Sequence, residues 1–293
     1  MGRNHARVYS LLEGATLAAV YDQDRSRAEA VVAEFGGQVA ETLGDLAELC
    51  DAVSVVVPTE AHLTVGGELL ERGVSVLVEK PIASTAEDAE ALVRKAAETG
   101  RILQVGHIER FNPVLRELEK QLSHPKFIEA HRLSPFPKRS MDIGVVLDLM
   151  IHDLEVILHL VSSPIASIDA VGVTVLTRHE DIANARLRFE NGCVANITAS
   201  RISPDRMRKI RVFQEECYLS LDYQEQEGKI YYREGQEIGR KEGEVEKDEP
   251  LKLELRAFVE SVKEKKEPTV TGQQGAAALE VALEITRLIQ EQG

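Results

Sequence analysis

An α/β domain followed by an α+β domain is the fold this sequence predicts, and three observations predict it. As far as about residue 105, short apolar β-branched runs alternate with helical periods, the pattern of βαβ units around a parallel sheet. Beyond about residue 125 the apolar residues fall into longer runs of partial period-two alternation, which read as an antiparallel sheet. Two helical patterns, about 250–265 and 273–291, close the chain.

The strands of the first half are Thr16–Tyr21, Ala52–Val57, Val74–Val78 and Ile102–Val105, short, apolar and mostly β-branched as expected of a sheet covered on both faces. Arg25–Phe35 carries Ala28, Val31 and Phe35 on one helical stripe and stops at Gly36-Gly37. Thr85-Ala86-Glu87-Asp88 resembles a capping box opening a helix that ends near Gly100. This order fits a Rossmann domain. In the second half Phe127–Leu133, Ile165–Leu176 and Asn184–Arg201 are the long strands. Asn191-Gly192 turns a hairpin between Ala185–Phe189 and Val194–Ser200, because both residues tolerate positive φ. Ile210–Phe213, Tyr218–Leu221 and Lys229–Tyr232 add short strands, and the charged stretch 234–249 reads as a solvated hairpin or loop.

With 293 residues, 43% of them apolar and 29% charged, the chain can bury two ordinary cores. Its net charge of −14 repels phosphate backbones and anionic lipids, which argues against nucleic acid as a partner. No apolar run reaches the roughly 18 residues that cross a bilayer. Met1 leads into polar Gly2-Arg3-Asn4-His5 instead of a signal peptide, so a cytoplasmic protein without membrane contact is expected. Cys50, Cys193 and Cys217 suggest neither a disulfide framework nor a zinc site.

Three places carry candidate chemistry. Asp22 follows its strand directly, where a carboxylate accepts hydrogen bonds from an adenosine ribose and repels a 2′-phosphate; this favours NAD, while Arg25 and Arg27 leave NADP open. The competing reading is a helix-capping aspartate. Glu79-Lys80-Pro81 ends a strand, where ligands of open α/β sheets bind, and the Lys80 ammonium could polarise or protonate a sugar oxygen; a surface lysine in a turn is the alternative. Asp148 and His152 lie four residues apart in an apolar segment, so a helix places carboxylate and imidazole on one face, suited to proton transfer and substrate orientation. A structural histidine capped by an aspartate fits the same spacing, and a metal would need a third ligand that the sequence does not identify.

In order and spacing, Asp22, Pro58-Thr59-Glu60-Ala61-His62, Glu79-Lys80-Pro81, Gly106-His107-Ile108-Glu109-Arg110-Phe111-Asn112-Pro113 and Asp148-x-x-x-His152 resemble the glucose-fructose oxidoreductase/inositol dehydrogenase/MocA family of dehydrogenases along essentially the whole chain. That resemblance implies a nicotinamide-binding Rossmann domain over 1–117 and a substrate-binding and oligomerisation domain over 118–293. It implies hydride transfer at a sugar or cyclitol carbon, with Lys80 and His152 in the active site, Asp148 beside them, and a cis peptide bond between Lys80 and Pro81. Gly2, Arg3, Asp22, Pro58, Thr59, His62, Glu79, Lys80 and His107 would contact the cofactor, and Arg110 and Asn112 the substrate, although helix-start and packing roles compete for the last two. The 106–113 motif, Arg132-Leu133-Ser134-Pro135 and Asp142-Ile143-Gly144-Val145 most resemble the members that act on C3 of UDP-N-acetylglucosamine, with Arg132, Lys138 and Arg139 left to recruit its diphosphate. A free-sugar or inositol dehydrogenase is the alternative, as is a non-catalytic cofactor-sensing or assembly role. A homodimer or homotetramer is expected.

Family members begin with a strand leading into Gly-x-Gly-x-x-Gly, of which Gly2 is the last glycine. The absent strand belongs in the middle of the sheet, so unpaired strand edges are expected. The expected explanation is a start placed at an internal Met; a true truncation would bind NAD weakly.

Overall fold

Residues 1–136 and 143–292 are described by a computed structural model; Lys138, Arg139 and Asp142 lie outside them. The first half runs α1 (Gly2–Leu11), β1 (Ala19–Val20), α2 (Arg25–Phe35), β2 (Gln38–Val39), α3 (Leu43–Leu49), β3 (Ala52–Val55), α4 (His62–Glu71), β4 (Ser75–Glu79), α5 (Ala86–Thr99) and β5 (Leu103–Gly106). Local chemistry sets the helix ends. The Asp24 carboxylate accepts the Ser26 N–H to start α2, which stops at Gly36 with φ 86°. Thr42 and Asp45 form a full capping box on α3, while Thr85 accepts the Asp88 N–H to start α5 and left-handed Gly100 ends it.

The strands do not make one sheet. β1 and β2 pair in parallel, β3, β4 and β5 make a second parallel sheet, and among the described residues no strand joins β1 to β3. The single parallel sheet expected from the sequence is therefore divided in two among the described residues. Helices cover both faces of the three-stranded sheet. Val8 of α1 clusters with Leu77 of β4, and the buried Gly66 of α4 sits where a Cβ would lie 3.3 Å from Leu92 of α5 and 3.5 Å from Val78 of β4.

The second half runs α6 (Pro113–Glu119), β6 (Phe127–Leu133), a π-helical turn (Val146–Met150), α7 (Ile151–Val161), β7 (Ile165–Val173), β8 (Ile182–Phe189), β9 (Val194–Ser200), β10 (Met207–Phe213), β11 (Cys217–Asp222), β12 (Glu227–Glu234), β13 (Glu237–Glu242), α8 (Pro250–Glu264) and α9 (Gly272–Gln292). The strands form one eight-stranded sheet in the order β13-β12-β11-β10-β6-β9-β8-β7, antiparallel except where β6 meets β9. The Asn191-Gly192 hairpin forms as expected, with Gly192 at φ 86°. Much of the stretch expected as a solvated hairpin or loop is the β12–β13 hairpin. α6, α7 and the later part of α9 bury Leu115, Ile151, Leu154 and Ile285 in a core with Ile128, Ile197 and Ile210 of the sheet. The other face carries a ladder of half-buried rings, Phe127, Phe213, Tyr218 and Tyr231, with neighbouring centroids 4.4–5.6 Å apart.

The boundary differs from the expected 117/118. One unit is Met1–Ile108 with Glu249–Ala276, and the other is Glu109–Asp248 with Ala277–Gly293. The reason is apolar packing and one hydrogen bond. Leu251, Leu255 and Phe258 of α8 join the Val8–Leu77 cluster, and the Val105 N–H of β5 donates to the Val270 carbonyl at 3.1 Å.

Candidate active site

In the first unit the candidate residues gather at the carboxyl ends of parallel strands, where open α/β sheets bind ligands. Asp22 follows β1, half-buried, with Oδ1 accepting the Asp24 N–H at 2.9 Å. Pro58 and Thr59 follow β3, and Lys80, half-buried, follows β4 with a cis bond to Pro81 as expected. Two buried histidines flank that turn. His5 of α1 donates from Nε2 to Glu79 Oε1 at 3.0 Å, and Glu79 Oε2 accepts the Lys80 backbone N–H at 3.3 Å. Opposite, Gly106 pairs with Glu79 in the sheet, and a Cβ there would make a tight 3.2 Å contact with the Glu79 carboxyl carbon.

His62, the first residue of α4, is 1% exposed. Its Nδ1 faces the carbonyls of Pro81 at 3.0 Å and Ile82 at 3.3 Å, and its Nε2 faces the carbonyl of Val57 at 3.0 Å. Burial pushes the imidazole below its ordinary pKa, against the pull of those carbonyls towards the cation. His62 was expected against the cofactor; its ring bridges the backbone after β3 to the backbone after β4. Arg3, given the same expectation, is exposed, pairs with Glu34 and stands 5.3 Å over the Phe35 ring. Gly2 is exposed at the first turn of α1, and His107 is buried after β5.

In the second unit Asp148 lies in the π-helical turn and His152 in the first turn of α7, both half-buried. The sequence suggests a plain α-helix here. A turn with i→i+5 bonds holds more residues, so positions four apart across the π-to-α junction stay on one side. The turn is held at its start: Glu180 Oε1 accepts the Val146 N–H at 3.2 Å, and Gly144 has no Cβ because one would overlap the Glu180 carboxylate.

Beside His152 lies a buried network of charges. Arg132 of β6 donates from Nε and Nη2 to both oxygens of Asp153, at 2.8 and 3.0 Å, and from Nη1 to Glu109 at 2.9 Å. Burial alone would push the Arg132 guanidinium down, but the Asp153 and Glu109 carboxylates outweigh it and raise its pKa. Arg110 donates to Glu155 at 2.7 Å, and Asn112 caps α6 through the Val114 N–H while donating to the Tyr223 carbonyl at 3.0 Å. These contacts are of the packing and helix-start kind expected as the alternative to substrate contact for Arg110 and Asn112. Arg132, 3% exposed, is committed inside this network and does not present its guanidinium to a diphosphate.

The residues after β1, β3 and β4 would suit the two ends of a dinucleotide, a carboxylate for the ribose and an ammonium for the reacting end. Residues 1–107 match the oxidoreductase family described as an NAD-binding Rossmann fold, and residues 117–220 match the GFO/IDH/MocA C-terminal domain. The UDP-N-acetylglucosamine 3-dehydrogenase of Acidithiobacillus ferrooxidans is 34% identical over 97% of this chain and 93% of its own length. The chain belongs to the Gfo/Idh/MocA oxidoreductase family. A solved structure of that relative superposes with a TM-score of 0.95 over 99% of this chain and 95% of its own. The scyllo-inositol 2-dehydrogenase (NAD(+)) of Bacillus subtilis is 28% identical over 70% of this chain and 65% of its own length. A levoglucosan dehydrogenase structure shares the fold, with TM-score 0.89 at 15% identity. As a Gfo/Idh/MocA oxidoreductase, the chain is a nicotinamide-dependent dehydrogenase acting on a hydroxyl group.

Within that frame, sequence reasoning overlooked the groups that hold the site together. Glu109 sits in a quoted motif and Asp153 adjoins His152, yet their shared partner Arg132 lies 23 and 21 positions away from them, too far for any local pattern. His5 is 74 positions from Glu79 and left no signal beyond being a histidine near Gly2.

Proposed function

We propose that this chain oxidises C3 of UDP-N-acetylglucosamine with NAD, giving a 3-keto nucleotide sugar and NADH. The observation that carries the reading is 34% identity over 97% of the chain to an enzyme of that name. A nicotinamide cofactor held by the residues after β1, β3 and β4 would supply the acceptor for the hydride that leaves the sugar carbon with its electron pair. His152 or Lys80 takes the hydroxyl proton, and Asp148 orients the sugar. The half-buried setting of all three, at a β-strand end and at a π-to-α junction, supports those roles.

NAD in preference to NADP is supported by Asp22 and by its neighbours. Arg25 pairs with Glu29 and Glu41, and Arg27 with Asp24, so both guanidiniums that could meet a 2′-phosphate already have carboxylate partners. The ladder of Phe127, Phe213, Tyr218 and Tyr231 supports a homodimer or homotetramer formed through that sheet face.

A free sugar or inositol is the second reading, favoured by one observation: burial of Arg132 removes a cation expected to hold a diphosphate. NADH absorbance followed with UDP-N-acetylglucosamine, other UDP-sugars, free sugars and inositols separates the readings. Turnover of an inositol but of no UDP-sugar overturns the first, and no turnover of any of them by a protein that binds NAD favours the sensing or assembly role.

A further inference from the structure

We propose that His62 is a positioning residue for Lys80, a clasp whose ring fixes the turn carrying the ammonium to the end of the neighbouring strand. The inference rests on the catalytic reading of Lys80 and assigns His62 a role exerted through that turn. Its basis is geometric. One side chain, 1% exposed, meets three backbone carbonyls on two segments, Val57 after β3 and Pro81 and Ile82 after β4. Lys80 is bonded directly to Pro81, so the Nδ1 side of the ring grips the turn next to the ammonium and the Nε2 side anchors it to β3.

Carbonyls only accept, so each contact needs an N–H from the ring, and a neutral imidazole has one. Two of the three acceptors face Nδ1. The tautomer protonated at Nδ1 holds the Lys80 turn and the tautomer protonated at Nε2 holds Val57, so the neutral ring donates to one segment at a time. A displacement of about 1 Å at a reacting group can cost about 100-fold in rate, so a lost clasp is felt in turnover even if the fold survives.

Asparagine and glutamine divide the ring's two functions. The amide nitrogen of Asn reaches the Nδ1 position, and that of Gln reaches the Nε2 position. His62→Asn therefore keeps the grip on Pro81 and Ile82, and His62→Gln keeps only the bond to Val57. With UDP-N-acetylglucosamine and NAD, or whichever sugar the substrate panel selects, His62→Gln is expected to lower kcat about 10-fold or more, with KM for NAD changing less than about 2-fold. His62→Asn should stay within about 3-fold of the parent kcat. Placed on Lys80→Met, His62→Gln should cause no further loss, because both changes remove the same ammonium from its place.

A second readout needs no turnover: the rate at which an amine-reactive reagent modifies Lys80, compared by peptide mass spectrometry with the other lysines. It should change several-fold in His62→Gln and stay unchanged in His62→Asn. Equal Lys80 reactivity in the parent and both variants overturns the clasp, as does a kcat loss from His62→Gln that adds in full to that of Lys80→Met. If Lys80 reactivity follows His62 as stated but Lys80→Met keeps full turnover, the clasp stands and the catalytic reading of Lys80 fails.

Discussion

Replacing Glu254 with Gln should make the first unit more stable, by an amount that grows with pH. Glu254 of α8 is fully buried, and among the described residues neither carboxylate oxygen has a hydrogen-bond partner. Burial first, and then the Glu79 charge, hold its carboxyl well above the ordinary range. The folded chain therefore keeps a proton that the unfolded chain releases at about pH 4.3. Stability from this group is fully present below that pH and declines as pH rises, until the folded-state value is passed. Linkage fixes the slope at about 1.4 kcal/mol per pH unit, so about 2.7 kcal/mol is lost over two units within that window. For a domain of this size the loss corresponds to about 5–10 °C in Tm. Glu254→Gln cannot ionise and lacks this term. Urea titrations of both proteins at about pH 5 and about pH 7 should show the variant gaining on the parent by the linkage amount. Parallel pH dependences would refute the reasoning, because they would mean that Glu254 ionises alike in the folded and unfolded chains.

Three further outcomes are expected. Asp181, fully buried, is pushed up by burial but pulled down to about 2 by the N–H groups of Leu176, Thr177 and Val175. Its contribution is present above the ordinary carboxylate range and lost as pH falls towards about 2, so Asp181→Asn should destabilise the second unit by about 2 kcal/mol near neutrality, with the difference closing in acid denaturation curves. Gly144→Ala forces Glu180 off the Val146 N–H, and calorimetry should show a loss of about 1–3 kcal/mol together with reduced turnover. Arg132→Met leaves Asp153 and Glu109 buried without their cation, so denaturation should show a loss of about 3–5 kcal/mol; a stable protein whose only defect is a raised KM for the nucleotide sugar would restore the diphosphate role.

The outline of the fold was legible in the sequence because its signals are local. Arg25–Phe35 and Phe127–Leu133 occupy the spans that periodicity predicts, and the hairpin expected at Asn191-Gly192 forms with Gly192, but not Asn191, at positive φ. The candidate reacting groups were legible for the same reason: Lys80 stands at a strand end and Asp148 with His152 at helical spacing. α3 went unread although Thr42 and Asp45 spell its capping box, because only Leu46 of its seven residues is buried and the apolar stripe is short. The partition of α8 and α9 was illegible, since it depends on Phe258 meeting Leu77 and Val270 meeting Val105 from far along the chain.

By itself, the sequence determined which elements form and which side chains carry chemistry, because caps, turns and apolar periods act over a few residues. Tertiary structure alone decided what most of the buried polar groups do. Arg132 became a structural cation and His62 a bridge between strand ends through contacts that span 5 to 23 positions, and Glu254 a buried carboxyl with no hydrogen-bond partner among the described residues. The physical reason is desolvation: a buried charge or ring nitrogen is governed by the few atoms that surround it after folding, and no local pattern names them.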